Sequence, residues 1–268
     1  MVDEALAARY AHILAEICPS FLHHEAAERR GLSTPFLVNG PKDPTARRIM
    51  VIGREYGAKG WKVEPEADGV SAYVAAALAK HRKVFDAFLA QDKKGPGVTF
   101  PNFLRELAED LGTGDGLIYS NLLCIDSGGK APTKSKHFPE IEGLSKRLLD
   151  AQIDHFTPDA IIFANGTSAE QVRIRRRFFP VKGKGRVFVS RRNWEDVGIP
   201  KGQLEEFELY GKFECYRIQH PSNWRGEAAA EAVKARRHLL KVLTQPRKQI
   251  VVASAAGVSA SARAPCEL

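Results

Sequence analysis

Arg47-Arg48-Ile49-Met50-Val51-Ile52-Gly53-Arg54-Glu55-Tyr56-Gly57 decides the fold class. Ile49 to Ile52 is an unbroken apolar run, the pattern of a strand covered on both faces within a parallel sheet. Gly53 ends the run, and a polar, glycine-bearing turn follows at once. Ligands of open α/β sheets bind beyond the carboxyl ends of the strands, so Arg54, Glu55 and Tyr56 stand where chemistry is usually done. From this stretch alone Glu55 has two readings, a carboxylate with a chemical role or a solvated loop residue.

Working outward, three further stretches read as strands. Leu117-Ile118-Tyr119-Ser120-Asn121-Leu122-Leu123 carries Asn121 inside or at the end of an apolar strand, where a free amide is not expected. Residues 158–166 end in Asn165-Gly166, and residues 213–218 run directly into His220-Pro221-Ser222-Asn223-Trp224-Arg225-Gly226. Helical patterns alternate with these strands. Leu6, Tyr10, Ile13, Leu14 and Ile17 recur at helical spacing over residues 3–17. Ser71 reads as the cap of a helix reaching Ala90. Pro101 suits a first helical turn ahead of Leu104, Leu107 and Leu111. Residues 139–155 and 228–243 complete the set. Strands alternating with helices predict an α/β fold, a three-layer α/β/α sandwich with a central, mostly parallel four-stranded sheet. One domain is expected over residues 1–245, with an N-terminal helix and a basic insertion near 173–192. Residues 246–268 are rich in small side chains and are expected to be disordered.

The 268 residues carry a formal charge of +8 and a pI near 9.3, which favours an anionic partner, most often nucleic acid. Cys18, Cys124, Cys215 and Cys266 are far apart, with no C-x-x-C pair, so no local zinc or iron–sulfur motif is present. Asp3 and Glu4 stand near the start, and no apolar run approaches about 18 residues, so neither a signal peptide nor a membrane span is expected. The expectation is a cytoplasmic monomer with free thiols, no membrane contact and no cofactor.

Residues 173–192 contain Arg173, Arg175, Arg176, Arg177, Lys182, Lys184, Arg186, Arg191 and Arg192 and no acidic residue, with Phe178, Phe179 and Phe188 among them. A charge run is often a solvated face. Interleaved aromatics in a basic chain favour phosphate contact instead, with Arg175, Arg176 and Arg177 as candidates.

The strand ends bring a carboxylate, an amide and an imidazole to one rim, a plausible catalytic set. In this order and context the residues resemble the uracil-DNA glycosylase superfamily. Gly53-Arg54-Glu55-Tyr56-Gly57 is similar to its first motif, Leu117 to Asn121 to its strand ending in Asn, and His220-Pro221-Ser222 to its late motif. Thr99 to Leu107 resembles a helix start of the best-known branch. Glu55 stands where the most active members have Asp, and Tyr56 replaces the usual Pro. The resemblance, which runs from about residue 47 to 243, implies hydrolysis of the N-glycosidic bond of uracil or a related damaged base in DNA. A stacked base must first be flipped out or offered in a single strand. Glu55 would stabilise the sugar cation and position water, and His220 would donate to the anion forming on the base. Asn121 would read the imide edge. Gly53, Tyr56 and Phe100 would complete the base pocket, where Phe100 has a stacking reading and an equal core-packing one. Arg54, Ser222, Asn223, Trp224 and Arg225 would contact DNA, Trp224 as a wedge or a lid, with Lys59 as a further phosphate contact.

Two other classes remain open on the residues. One is a nucleic-acid-binding protein of the same fold without catalysis. The other is an unrelated α/β enzyme acting on a nucleotide, against which counts the lack of a G-x-x-x-x-G-K-[ST] or G-x-G-x-x-G run after the first strand.

Overall fold

A computed structural model describes residues 3–23, 26, 31–54, 61–65, 69–90, 99–222 and 227–245. The element order is α1 (Glu4–Ala15), β1 (Ile49–Gly53), α2 (Val70–Ala90), α3 (Thr99–Asp110), β2 (Leu117–Asn121), α4 (Phe138–Phe156), β3 (Ala160–Phe163), α5 (Ala169–Phe178), β4 (Phe188–Asn193), β5 (Leu204–Leu209), β6 (Phe213–Ile218) and α6 (Glu227–Thr244). The protein is an α/β fold with a six-stranded mixed, mostly parallel sheet flanked by helices. Its strand order is β2-β1-β3-β6-β5-β4.

The four strands expected from sequence are the four parallel strands. β1 pairs with β2 and β3, and β3 with β6, all parallel. Every residue of β1, β2 and β3 is buried, as expected for strands covered on both faces. Parallel strands need long crossovers, which α2 and α3 supply between β1 and β2, and α4 between β2 and β3 on either side of β1.

The expected four-stranded sheet is corrected to six strands. Residues 173–192 contribute most of α5 and of β4. β5 adds antiparallel to β6, and β4 antiparallel to β5 at the sheet edge. Neither has an apolar run: β4 is Phe-Val-Ser-Arg-Arg-Asn on an exposed edge, and β5 places three glutamates among its apolar residues. The β4 edge is shielded by a register irregularity between Ser190 and Arg192 and by ion pairs of Arg191 with Glu208 and Arg192 with Asp196.

The helices form for local reasons as well as for burial. Asp3 caps α1 by accepting from the Leu6 N–H at 3.1 Å. Ser71 lies inside the first turn of α2 rather than capping it. Tyr10 and Tyr73 are fully buried, and their hydroxyls donate to the carbonyls of Val38 (3.0 Å) and Pro35 (2.6 Å), pinning the segment that precedes β1. Among the described residues Cys18 is exposed, Cys124 and Cys215 are buried, and all three are free thiols. No described helix is long and apolar enough to cross a membrane. Cys266 and the expected disordered tail lie outside the described residues.

Candidate active site

β1 and β2 end side by side, with Gly53 the register partner of Asn121. Beyond them the backbone keeps pairing: the Leu122 N–H donates to the Gly53 carbonyl at 2.9 Å and the Leu123 N–H to the Arg54 carbonyl at 3.0 Å. A Cβ on Gly53 would stand 2.7 Å from Asn121 Oδ1 and 3.2 Å from Phe100 Cζ. Glycine is therefore what allows the amide and the aromatic ring to close on this backbone. The Asn121 side chain is only 5% exposed, yet neither Oδ1 nor Nδ2 has a hydrogen-bond partner among the described residues. Leaving a buried polar group unpaired costs about 1–3 kcal/mol, so an amide kept this way at a strand end calls for an explanation.

Phe100, in the first turn of α3, lies between two rings. Its centroid is 5.4 Å from that of Tyr119 and 5.5 Å from that of His220, with 27° between the Phe100 and His220 planes. His220 follows β6 by two residues and rests over Gly166, whose φ of +85° suits glycine and whose added Cβ would meet His220 Cβ at 3.5 Å. Burial first, then the charges of Arg54 and Arg236, push the His220 pKa down to about 3. The ring is therefore neutral near pH 7. Its Nδ1 accepts from the Ser222 N–H at 3.2 Å, which leaves the ring proton on Nε2 as a donor. Thr99 and Ser222 join their hydroxyls at 2.9 Å, tying α3 to the loop after β6. Gln219 Nε2 donates to Thr167 Oγ1 at 2.5 Å, tying that loop to the one after β3. Beside Pro221 a cleft of about 400 Å³ opens between α3 and α6, lined by Glu106 and Arg236 among others. Burial raises the Glu106 carboxyl above its usual range.

The structure thus gathers Gly53, Phe100, Asn121, His220 and Ser222 on one rim, and Arg54 acts there through its charge on His220. Glu55, Tyr56, Lys59, Asn223, Trp224 and Arg225 lie outside the described residues. The arginines of α5 do not join the rim. Arg175 is 5% exposed, and its Nη1 donates to Asn165 Oδ1 at 3.4 Å. Burial, reinforced by the charge of Arg217, pushes its pKa down to about 9. Arg175, expected to meet phosphate, is thus buried against Asn165 at the end of β3. Arg177 binds both oxygens of Glu142, at 3.1 and 2.9 Å, and Arg176 is exposed.

Sequence reasoning missed Thr99, Gly166 and Arg236 as neighbours of the imidazole. Thr99 and Gly166 had a signal in their places, before Pro101 and after the third strand; Arg236, on the closing helix, had none. It also missed His81, a second buried imidazole. His81 Nδ1 accepts from the Asn39 N–H at 3.3 Å and Nε2 donates to the Tyr119 carbonyl at 3.1 Å, so both nitrogens serve the core. Burial lowers its pKa to about 4.

Chemically the rim offers a neutral N–H donor, an amide with donor and acceptor both free, and an aromatic face. No group of three or more potential metal-ligating side chains occurs among the described residues. No model of a known protein family matches the chain, and a search of curated proteins returns no match.

Proposed function

We propose that this protein is a DNA glycosylase that hydrolyses the N-glycosidic bond of uracil or a related damaged base, on a three-layer α/β/α fold like that of the superfamily it resembles. The observation that carries the reading is the Asn121 amide: buried, with both polar atoms unpartnered among the described residues, and sharing Phe100 as a neighbour with the neutral His220. A pyrimidine imide edge would satisfy both amide atoms, with its N–H donating to Oδ1 and its carbonyl accepting from Nδ2.

In the reaction the bond between C1′ and the base nitrogen breaks, and its electron pair leaves with the base. Water oxygen bonds to C1′, and a proton passes from that water to solvent or to the departing base. His220 Nε2–H donates a hydrogen bond to the base oxygen as negative charge develops there. A neutral donor suits this role because its proton stays on the ring. Glu55, two residues past Gly53, is the carboxylate proposed to face the sugar cation and orient water.

Single-turnover excision from single- and double-stranded oligonucleotides carrying uracil, or one of a panel of damaged bases, tests the reading. The wild type is expected to release at least one base. Glu55→Gln is expected to fall by about two to four decades. Asn121→Asp is expected to lose excision of uracil while keeping its fold, because the amide donor is gone. A wild type that releases no base from any substrate overturns the enzymatic reading.

One observation favours a second reading, a non-catalytic nucleic-acid-binding protein of the same fold. The Phe100 ring packs directly on His220, where a base would otherwise lie. Under that reading the wild type binds DNA, excises nothing, and gains no activity from Phe100→Ala.

A further inference from the structure

The loop after β2 opens a second concave surface on the same rim. It runs from the Asn121 strand to the start of α4 and, with Glu170 at the start of α5, lines a cavity of about 660 Å³. Lys130, Lys134 and Lys136 stand around this cavity with exposed side chains. Among the described residues no carboxylate comes within the 4.0 Å of an ion pair to any of the three. Lys42 and Lys146, by contrast, reach Asp86 at 2.9 Å and Asp150 at 2.5 Å. Glu170 is the one carboxylate in the lining, and the Thr133 hydroxyl donates to it. Three ammonium groups against one carboxylate leave two positive charges uncompensated.

The backbone that carries the lysines is fixed by its own turns. The Ser127 N–H donates to the Lys130 carbonyl at 2.8 Å, and the Ser135 N–H to the Pro132 carbonyl at 2.8 Å. The charges are thus presented from a set frame, which lowers the cost of binding. Both α4 and α5 begin at the cavity, and their positive dipole ends add to the lysines.

We propose that this cavity binds backbone phosphates of the nucleic-acid strand whose base enters the site at Gly53, Asn121 and His220. The identity of the strand rests on the glycosylase reading; the affinity for strand phosphates does not. Three unpaired cations around one cavity suit a chain of regularly spaced negative charges better than a single small anion, which would answer only part of them. Lysines act here as point charges, without the base-edge recognition that would give sequence preference.

The test is the triple variant Lys130→Gln, Lys134→Gln, Lys136→Gln, titrated by fluorescence anisotropy with an undamaged single strand across about 50 to 200 mM salt. Thermal melting checks the fold, which exposed side chains should not disturb. The variant is expected to bind at least about tenfold more weakly at low salt, with a log–log salt slope shallower by about 2, from about 0.7 for each lost phosphate contact. An unchanged affinity and slope overturns the proposal, as does a wild type that binds no strand. A wild type that binds a strand without excising any base, beside a triple variant that loses binding, keeps the cavity assignment and removes the glycosylase reading. Full excision with unaltered binding in the triple variant does the reverse. Pyrophosphate, titrated by calorimetry, separates a free phosphorylated ligand from a strand. Micromolar binding that the variant loses, with strand affinity intact, assigns the cavity to the small molecule and overturns the proposal.

Discussion

Gly53 and His220 show how single side chains set the chemistry of the rim. Gly53→Ala would put a methyl 2.7 Å from Asn121 Oδ1 and 3.2 Å from Phe100 Cζ, so one of the two must yield. Overpacking of this kind costs about 1–3 kcal/mol, which a fold with this much buried apolar surface survives. The displaced amide is the sensitive part: single-turnover excision is expected to fall about a hundredfold, the usual price of a misplacement near 1 Å. Wild-type rates in a folded Gly53→Ala protein would remove Asn121 from base recognition. The imidazoles give a pH prediction. His81 and His220 are pushed down to about 4 and about 3, while in the unfolded chain both titrate near 6.5. Above pH 6.5 both are neutral in either state, and their contribution is fully present. As pH falls from 6.5 toward 4, the unfolded chain takes up protons that the folded chain refuses, so stability drops by up to about 1.4 kcal/mol per pH unit for each ring. Urea unfolding at pH 7.5, 6 and 5 should show this slope, and His220→Ala should reduce it by the share of one ring. An identical slope in the variant would mean that His220 is protonated in the folded protein.

The elements divide into those whose sequence announces them and those whose packing makes them. β1, β2 and β3 were legible because burial on both faces demands apolar runs, and β6, which mixes Glu214 and Arg217 into a mostly apolar stretch, was legible too; their ends located Gly53, Asn121 and His220. β4 and β5 were not, because an edge strand and its charged neighbour satisfy their side chains in water and through ion pairs. α5 was hidden by its charge, although its period was visible: Gln171, Ile174, Arg175 and Phe178 fall at helical spacing and are the residues the helix buries. An arginine on that stripe belongs to the interior. Arg175 makes one long hydrogen bond to Asn165 and sits near the like charge of Arg217, so its desolvation is poorly offset. Arg175→Met keeps the length and apolar stem, and is expected to leave stability unchanged or raise it by about 1 kcal/mol. The variant should bind DNA with the wild-type salt slope. A urea midpoint lowered by the equivalent of more than about 2 kcal/mol would show instead that the buried guanidinium holds the end of β3 in place.

Across the whole molecule the sheet has two ends, and the chain carries a net charge of +8. β5 runs antiparallel to β6, and β4 antiparallel to β5, so β4 runs in the direction of β1, β3 and β6. It therefore starts at the end of the sheet away from His220 and finishes at the rim. α5 leaves the rim after β3 and descends, and the turn joining it to β4 carries Lys182, Lys184 and Arg186 at the far end. Sequence alone ran these cations together with the arginines of α5, because proximity along the chain hides a reversal of direction in space. A strand engaged at Gly53 and Asn121 lies across the other end of a sheet about five residues deep, or roughly 17 Å at the rise of a β-strand. That distance exceeds the screening length of about 8–10 Å at physiological salt. Replacing Lys182, Lys184 and Arg186 together by Gln removes three charges from the chain, as many as the cavity variant removes. It is nevertheless expected to leave strand affinity within about twofold at physiological salt, with the slope of log affinity against log salt unchanged. The comparison isolates position from net charge. Should the far-end variant lose affinity and slope as the cavity variant is expected to, binding would follow the total charge of the protein, and the strand would not be confined to the rim.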